Sequence, residues 1–404
     1  MIAIVVGGGI NGVTAAIELR KRGHRVSLID PGPLPHRLAA STDISKAVRA
    51  AYGADDDYTA LADRSIERWH EWNRDFGVEL YHETGFLFMR RREMAPGDFE
   101  YESFERLMRS GHRLERIDSA ELRRRFPAWN AELYRDGFFD SRSGYVESER
   151  VVAHLLEFAK SHDVELLEGS KFAGLNERDG VVSGVTLAGR RLLPADIVVA
   201  AMGAWTPLAL PFTREFFRTR GQPVFHLKPQ NLALFASERF PVFGADISTT
   251  GYYGFPLNRD GIVKIANHGP GREMSPDSER SVTAEEVTKL RQFLAQSFPA
   301  LADAEIVHSH VCLYCDTFDG DLWIAADPDR AGLIVAAGDN GHGFKFAPVL
   351  GEIIADAAEG KANSLLKKFR WRPEVRASGS KEAARAGMAA RSKAPDDPSR
   401  GPSL

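Results

Sequence analysis

Three sets of residues have types and spacings that suit chemistry. The first is Gly7, Gly9 and Gly12, in G-x-G-x-x-G spacing directly after the apolar run IAIVV. Each glycine has its own task. Gly7 allows a tight turn out of a strand. Gly9 lets the backbone approach a pyrophosphate, and Gly12 lets a helix pack close to the strand. The phosphates then sit at the positive end of that helix, beside Ile10 and Asn11. Asp30 ends the next apolar run and is placed to accept hydrogen bonds from a ribose diol. An acid there disfavours a 2′-phosphate, so NAD or FAD is expected rather than NADP.

The second set is two lysines inside apolar runs: Lys264 in GIVKIANH and Lys345 in GHGFKF. The third is VCLYCDT, which holds both cysteines of the chain, Cys312 and Cys315, in C-x-x-C spacing. This spacing admits a redox pair, a disulfide, half a zinc site or an attachment point. In an extended segment, residues three apart face opposite sides, which argues against pairing. A redox C-x-x-C also wants a helix N-terminus to depress its thiol pKa, and VCLY is not one. His308, His310 and Cys312 lie in phase and offer three zinc ligands. The required supporting shell is not legible, and no metal is expected.

These residues need elements to hold them. Ile2–Val6 reads as a buried strand, residues 11–22 as a helix ended by Gly23, and residues 25–29 as a second strand. Together they make one βαβ unit. Residues 42–76 read as helix, with Leu61, Ile66, Trp69, Trp72 and Phe76 on one stripe. Strands are expected near 84–89, then a helical stretch and a turn-rich region to about 143. A helix near 147–160 follows, then the strands VELLEG, GVVSGVTLAG and ADIVVAAMG. Further on come strands NLALFA and GIVKIANH, a helix near 283–296, the strand LWIAA, and a strand–turn–helix beginning GLIVAAG.

The nucleotide-binding segments are scattered through the chain, which suits FAD, a long ligand that crosses a whole domain. No second G-x-G-x-x-G serves a nicotinamide partner. Gly269 and Gly271 come nearest, but Met274 stands where the third glycine belongs. The expected fold is therefore α/β. A Rossmann-like FAD-binding domain is assembled from 1–85, 144–216 and 311–372. An α+β substrate domain with a mixed or antiparallel sheet takes 86–143 and 217–310. Residues 373–404 read as a disordered tail.

The chain has 404 residues, enough for two or three domains. Its net charge of −4 gives no reason to expect nucleic acid or an anionic membrane. The apolar opening lacks a basic leader and carries too many glycines and polar residues to span a membrane. Two cysteines cannot build a disulfide framework, which suits a reducing compartment. A cytoplasmic monomer is expected, and the closing GPSL is a poor peroxisomal ending.

Five stretches, in order, carry a family resemblance: KAVRAAYG, AMGAW, GYYGFP, VCLY and AAGDNGHGFKF. On these the chain resembles the D-amino-acid-oxidase-like flavoenzymes. It is most similar to the branch of monomeric sarcosine oxidase, N-methyltryptophan oxidase and fructosyl amino acid oxidases. The resemblance implies an FAD enzyme that oxidises the secondary amine of an N-substituted amino acid. A hydride passes to the flavin, the imine is hydrolysed, and O2 becomes H2O2.

The resemblance also implies roles. Arg49 and Lys345 match a carboxylate-binding pair, and Lys264 matches a lysine that activates oxygen. Read alone, the competing readings are a solvated helix residue for Arg49 and an edge-strand lysine for Lys264, each weaker than the functional one. Tyr253, His268 and Tyr314 match pocket-lining residues. Cys312 matches a cysteine that carries flavin on an 8α-thioether, whereas Cys315 has no assigned role and reads as packing. Ser41, Gly203, Trp205, Gly338, Gly341, Gly343 and Phe344 fall in stretches that line the cofactor. Where sarcosine oxidases have histidine and arginine under the flavin, this chain has Thr42 and Lys46. The run TDISK is closer to fructosyl amino acid oxidases and leaves the N-substituent open. Alternatives are a fructosyl amino acid or opine-type oxidase, a dehydrogenase that passes electrons to a partner, and a flavin-binding subunit without activity.

Overall fold

The computed structural model describes residues 1–375. Strand Ile2–Val6 lies between Arg25–Ile29 and Ile197–Ala200, parallel to both. Leu333–Ala337 and Glu165–Leu167 extend the parallel sheet on either side, and Trp323–Ala326 adds an antiparallel edge. Strands covered on both faces need no alternation, which is why IAIVV and LIVAA are unbroken apolar runs. Helix Ile10–Lys21 packs on helix Ala347–Glu359. Gly351 permits this approach, since a Cβ there would lie 2.4 Å from the Thr14 carbonyl oxygen.

A nine-stranded second sheet is mixed. Its long strand Phe217–Lys228 pairs with Val263–Asn267 on one side and Glu305–Thr317 on the other, both antiparallel. Tyr252–Gly254 follows Val263–Asn267, then Val242–Ala245, which is parallel to Phe86–Arg90. Phe225, Phe243 and Ile265 point into a core shared with Phe293 and Phe298. Alternation along the strands therefore turns His226 and Lys264 to the opposite face. Helix Ala284–Ser297 seals that core; Thr283 and Glu286 form a capping box at its start.

Three expectations from the sequence change. Only Asp56–Phe76 of residues 42–76 is helical. The Asp55 side chain accepts the Tyr58 N–H and starts the helix there, while Gly53 turns the chain at φ 61°. The preceding Lys46–Val48 instead pairs with Gly144–Val146, which also holds Tyr81–His82. NLALFA is not a strand; Leu232–Leu234 forms a single 3-10 turn. The region expected to be turn-rich contains Leu114–Asp118, Ser119–Arg125 and Asp136–Asp140, because the Asp118 side chain caps the helix at Glu121 N–H. The tail expected over 373–404 lies, from residue 376 on, outside the described residues. Among the described residues no helix is long and apolar enough to cross a membrane.

Candidate active site

The glycine turn opens onto a cavity of about 1050 Å³ lined by Gly7, Gly9, Asp30, Ser41, Gly203 and Trp205. The three glycines behave differently. A Cβ on Gly7, at φ 106°, would meet the Ala201 carbonyl oxygen at 2.5 Å, and one on Gly12 the Gly7 carbonyl oxygen at 1.8 Å. A Cβ on Gly9 would meet only Ser41 Oγ, at 3.4 Å, and would stand in the cradle itself. Ser41 Oγ accepts the Ile10 N–H at 3.0 Å at the helix start. Asp30 accepts the N–H of Gly8 at 2.8 Å and of Gly32 at 3.0 Å, which leaves each oxygen a lone pair for a hydroxyl. Asn11 donates to Asp339 at 2.8 Å, while its own buried Oδ1 has no partner. A buried unpaired acceptor, a bare glycine cradle and this volume fit a dinucleotide such as FAD.

At the rim, Trp205 donates to Asp277 at 2.9 Å, and the Arg280 guanidinium lies 5.0 Å from its ring centre. Thr42 donates to the His36 carbonyl at 2.8 Å and so closes the loop before the next strand.

The opposite-facing residues of the second sheet form a wall. Phe255, Lys264, His226 and His308 stand side by side across four strands. The neighbouring row is Tyr253, Ala266, Val224 and His310. Cys312, Tyr314, Tyr253, Val224 and Ala266 make one apolar cluster on this wall. His268 lies 5.6 Å from the Tyr314 ring and 6.3 Å from that of Tyr253. Gly341 must be glycine, since a Cβ would enter the Tyr314 ring at 2.1 Å. Cys315 faces the other way, into a core with Phe217 and Trp323, where burial pushes its thiol pKa up. Both cysteines are free thiols. Among the described residues no group of three or more His, Cys, Asp or Glu is arranged to hold a metal ion.

Lys264 is 1% exposed and sits in the middle of the sheet, not at an edge. Its ammonium donates to Asp43 at 2.5 Å and to the Ser45 carbonyl at 2.6 Å, over the Phe255 ring. Lys46 approaches the same carboxylate at 3.7 Å and His226 at 3.3 Å. Burial lowers the Lys264 pKa to about 8, although Asp43 opposes the fall. Burial alone would raise the Asp43 pKa; Lys264, then Lys46 and His226, outweigh it and hold the group well below the usual carboxylate range. Burial also opposes the charge on Lys46, but Cys312 and Asp43 raise its pKa. Asp43 is fixed by its backbone, whose carbonyl accepts Ser148 Oγ at 2.7 Å and the Glu149 N–H at 3.1 Å. The sequence reading missed Asp43, although it lies inside TDISK between Thr42 and Lys46.

Arg49 and Lys345 are brought together by Tyr52, a second residue the sequence reading passed over. Lys345 donates to the Tyr52 hydroxyl at 2.9 Å and to the His342 carbonyl at 2.6 Å. The Arg49 guanidinium lies 4.8 Å from the Tyr52 ring centre and donates to the Ala51 carbonyl. Arg49 is 9% exposed, so it is not a solvated helix residue. Trp69 donates to the Lys345 carbonyl at 2.8 Å and stacks on Phe344, which sets the turn that carries the lysine. Gly338, at φ 69°, and Gly343, beside Asp339, complete that turn.

A dinucleotide cavity in the first sheet and a buried lysine in the second fit a flavin-dependent oxidoreductase. The chain belongs to the FAD dependent oxidoreductase family, whose model matches residues 3–357. It is 28% identical over 364 residues to monomeric sarcosine oxidase from Bacillus sp. (strain B-0618), covering 88% of this chain and 91% of that one. It is 27% identical over 376 residues to N-methyl-L-tryptophan oxidase from Salmonella heidelberg (strain SL476), covering 91% and 97%. In fold it is similar to fructosamine oxidase (Amadoriase II) from Aspergillus fumigatus, with TM-score 0.80, 24% identity, and 93% and 90% of the two chains covered. A modified fructosyl peptide oxidase from Aspergillus nidulans superposes with TM-score 0.83 at 21% identity, covering 95% of each chain.

Proposed function

We propose that the chain oxidises the secondary amine of an N-substituted amino acid, with FAD as cofactor and O2 as acceptor. The products are an imine, which water hydrolyses, and H2O2. The observation that carries this reading is Lys264, a cation buried on the wall that also bears Cys312, Tyr314 and Tyr253. The names of the relatives support the substrate class. Bound FAD supplies the two-electron chemistry, accepting hydride from the carbon beside nitrogen and returning electrons to oxygen.

The protein's part is to bind, orient and exclude water. Segments 1–85, 144–216 and 311–372 form the FAD-binding domain, and 86–143 with 217–310 the substrate domain. Gly7, Gly9, Ile10, Asn11, Gly12 and Ser41 take the pyrophosphate, and Asp30 takes the ribose. Gly203, Trp205, Gly338, Gly341, Gly343 and Phe344 line the rest of the cofactor. Cys312 tethers the flavin, while Thr42 and Lys46 lie beside its ring system. Lys46 adds positive charge there without a guanidinium plane to stack. Arg49 and Lys345 clamp the substrate carboxylate, one as a fork and the other as a point charge. Tyr253, His268 and Tyr314 wall the amine. Lys264 holds a positive charge where O2 becomes anionic, which lowers the barrier to its reduction. The enzyme is a cytoplasmic monomer in this reading; its two free thiols suit a reducing compartment.

The test is direct. The purified protein is expected to show a flavin spectrum that an N-substituted amino acid bleaches without oxygen, and to form peroxide when air is admitted. The screen spans substituents from N-methyl to sugar-derived. Flavin that no amine bleaches overturns the reading. Bleaching followed by rapid turnover with an artificial acceptor, but little oxygen uptake, overturns its oxidase part.

A further inference from the structure

Asp43, His226, His308 and His310 have no part in the reaction proposed above, yet they run from Lys264 to the surface. Lys264 Nζ donates to Asp43 Oδ2 at 2.5 Å, and Asp43 Oδ1 faces His226 Nε2 at 3.3 Å. The His226 ring lies 5.1 Å from that of His308 and 6.0 Å from that of His310, and those two are 5.2 Å apart. Lys264, His226 and His308 are direct cross-strand neighbours. His308 is exposed, His310 is half-buried, and His310 Nδ1 is buried without a partner. We propose that Asp43, His226, His310 and His308 form a proton relay that recharges buried Lys264 from solvent. The proposal rests on the reading of Lys264 as the oxygen-step lysine.

The chemistry of that step needs a proton from outside the cofactor, which such a route supplies. Converting O2 to H2O2 takes two electrons and two protons. Both electrons and one proton come from the reduced cofactor. The other proton comes from the Lys264 ammonium, which is left as a neutral amine. His226, recharged from water through the outer imidazoles, then gives a proton from Nε2 to the ionised Asp43 carboxylate at Oδ1, and Asp43 passes one from Oδ2 to the neutral Nζ. Gaps of one imidazole width are bridged by ring rotation or a single water.

The groups that face Lys264 leave this as the open path. Asp43 and Lys46 come from the loop and strand on one side, Tyr253 and Phe255 from Tyr252–Gly254 and its following residue, His226 from the long strand, and His310 and Cys312 from the strand beyond. Of the three groups Nζ touches, the Ser45 carbonyl and the Phe255 ring cannot take up and pass on a proton, and the Asp43 carboxylate can. The Lys264 proton is labile, since burial brings its pKa to about 8. Burial lowers the pKa of His310 to about 4 and also lowers that of His308, so both rings are neutral at neutral pH and can accept as well as donate.

Two measurements test the relay. In the oxidised holoenzyme labelled with 15N-lysine, hydrogen exchange at Lys264 Nζ is followed by NMR. His226→Phe is expected to slow it severalfold, and so is the surface pair His308→Gln with His310→Gln, which leaves the buried charges in place. A general loosening of structure would speed exchange instead. In the holoenzyme, reoxidation by O2 after anaerobic reduction is expected to slow about tenfold or more in either variant and to be restored by added imidazole. Unchanged or faster exchange in both variants overturns the relay. Lys264→Met separates the two ideas: wild-type reoxidation in that variant removes the oxygen-step reading, while the exchange experiment judges the relay alone.

Discussion

The Lys264 ammonium and the Asp43 carboxylate meet at 2.5 Å, and both side chains are almost wholly buried. The contact ties the middle of the second sheet to the loop that precedes Lys46–Val48, across 221 residues of sequence. Neither charge is tolerable there without the other. Removing one partner of such a pair costs on the order of 3–5 kcal/mol, because an uncompensated charge stays behind.

Asp43→Asn is therefore expected to destabilise the protein by about that amount at neutral pH. The sign of its pH dependence follows from Lys264. The folded pKa of about 8 lies below the ordinary 10.5, so the charged lysine costs stability below about 8, and the cost is relieved as pH rises towards 10.5. Without Asp43 the folded pKa drops further and the cost grows. The deficit of Asp43→Asn should thus narrow as pH rises, and Asp43→Asn with Lys264→Met should be more stable than Asp43→Asn alone. Urea unfolding at neutral and alkaline pH checks both.

The same pair sets a kinetic pH limit. If a charged Lys264 serves the oxygen step, reoxidation by O2 should fall as pH rises through about 8. Asp43→Asn should move that limb to lower pH, because the partner that opposes the burial effect is gone. Rapid mixing of reduced enzyme with O2 across pH reads the limb directly. A limb that stays in place would falsify the coupling.

Tyr52 makes a separate prediction about the proposed substrate clamp. Tyr52→Phe keeps the ring beneath Arg49 and removes the hydroxyl that Lys345 reaches at 2.9 Å. Loss of one hydrogen bond to a charged group is worth about 1.5–3 kcal/mol, or roughly tenfold to a hundredfold. The expected outcome is a rise in KM for carboxylate-bearing substrates, with little change for amines that lack the carboxylate. Steady-state kinetics on such a pair of amines distinguishes a loosened clamp from general damage.

Local signals explain what the sequence made legible. Glycine spacing, a β-branched strand and a terminal acid all act within the first thirty or so residues, so the βαβ unit needs no distant contact to be read. Lys264 stood out because a charge inside GIVKIANH conflicts with its surroundings. Asp43 did not, because an acid beside serine and threonine looks like a turn, and its partner is remote. Tyr52 was hidden for a similar reason: its ring meets Arg49 locally, but its hydroxyl meets Lys345 across 293 residues. The helix over-extended through residues 42–55 because the pairing of Lys46–Val48 with Gly144–Val146 is a tertiary effect. NLALFA failed because a short apolar run does not distinguish strand from turn.

The two cysteines should separate cleanly. Cys312 shares a wall with Tyr253 and Tyr314, whereas Cys315 packs against Phe217 and Trp323 in another core. After acid precipitation, Cys312→Ala is expected to release its flavin to the supernatant, and Cys315→Ala to keep it in the pellet. Cys315→Ala should cost only about 1 kcal/mol, for one small buried group. Flavin retained in both pellets refutes the tether.

Gly9→Ala and Gly12→Ala offer the sharpest contrast in the cofactor cradle. A Cβ on Gly12 would lie 1.8 Å from the Gly7 carbonyl oxygen, so the helix must move off the strand. The methyl on Gly9 meets only Ser41 Oγ, at 3.4 Å, and costs the folded chain little. It does, however, occupy the space through which a pyrophosphate reaches the backbone at the helix N-terminus. Gly12→Ala should therefore lower the melting temperature of the flavin-free protein. Gly9→Ala should leave that temperature within a degree or two, the shift of about 0.5 kcal/mol for a chain of this size, while purified flavin content falls sharply. Full flavin content in Gly9→Ala would show that the phosphates lie elsewhere.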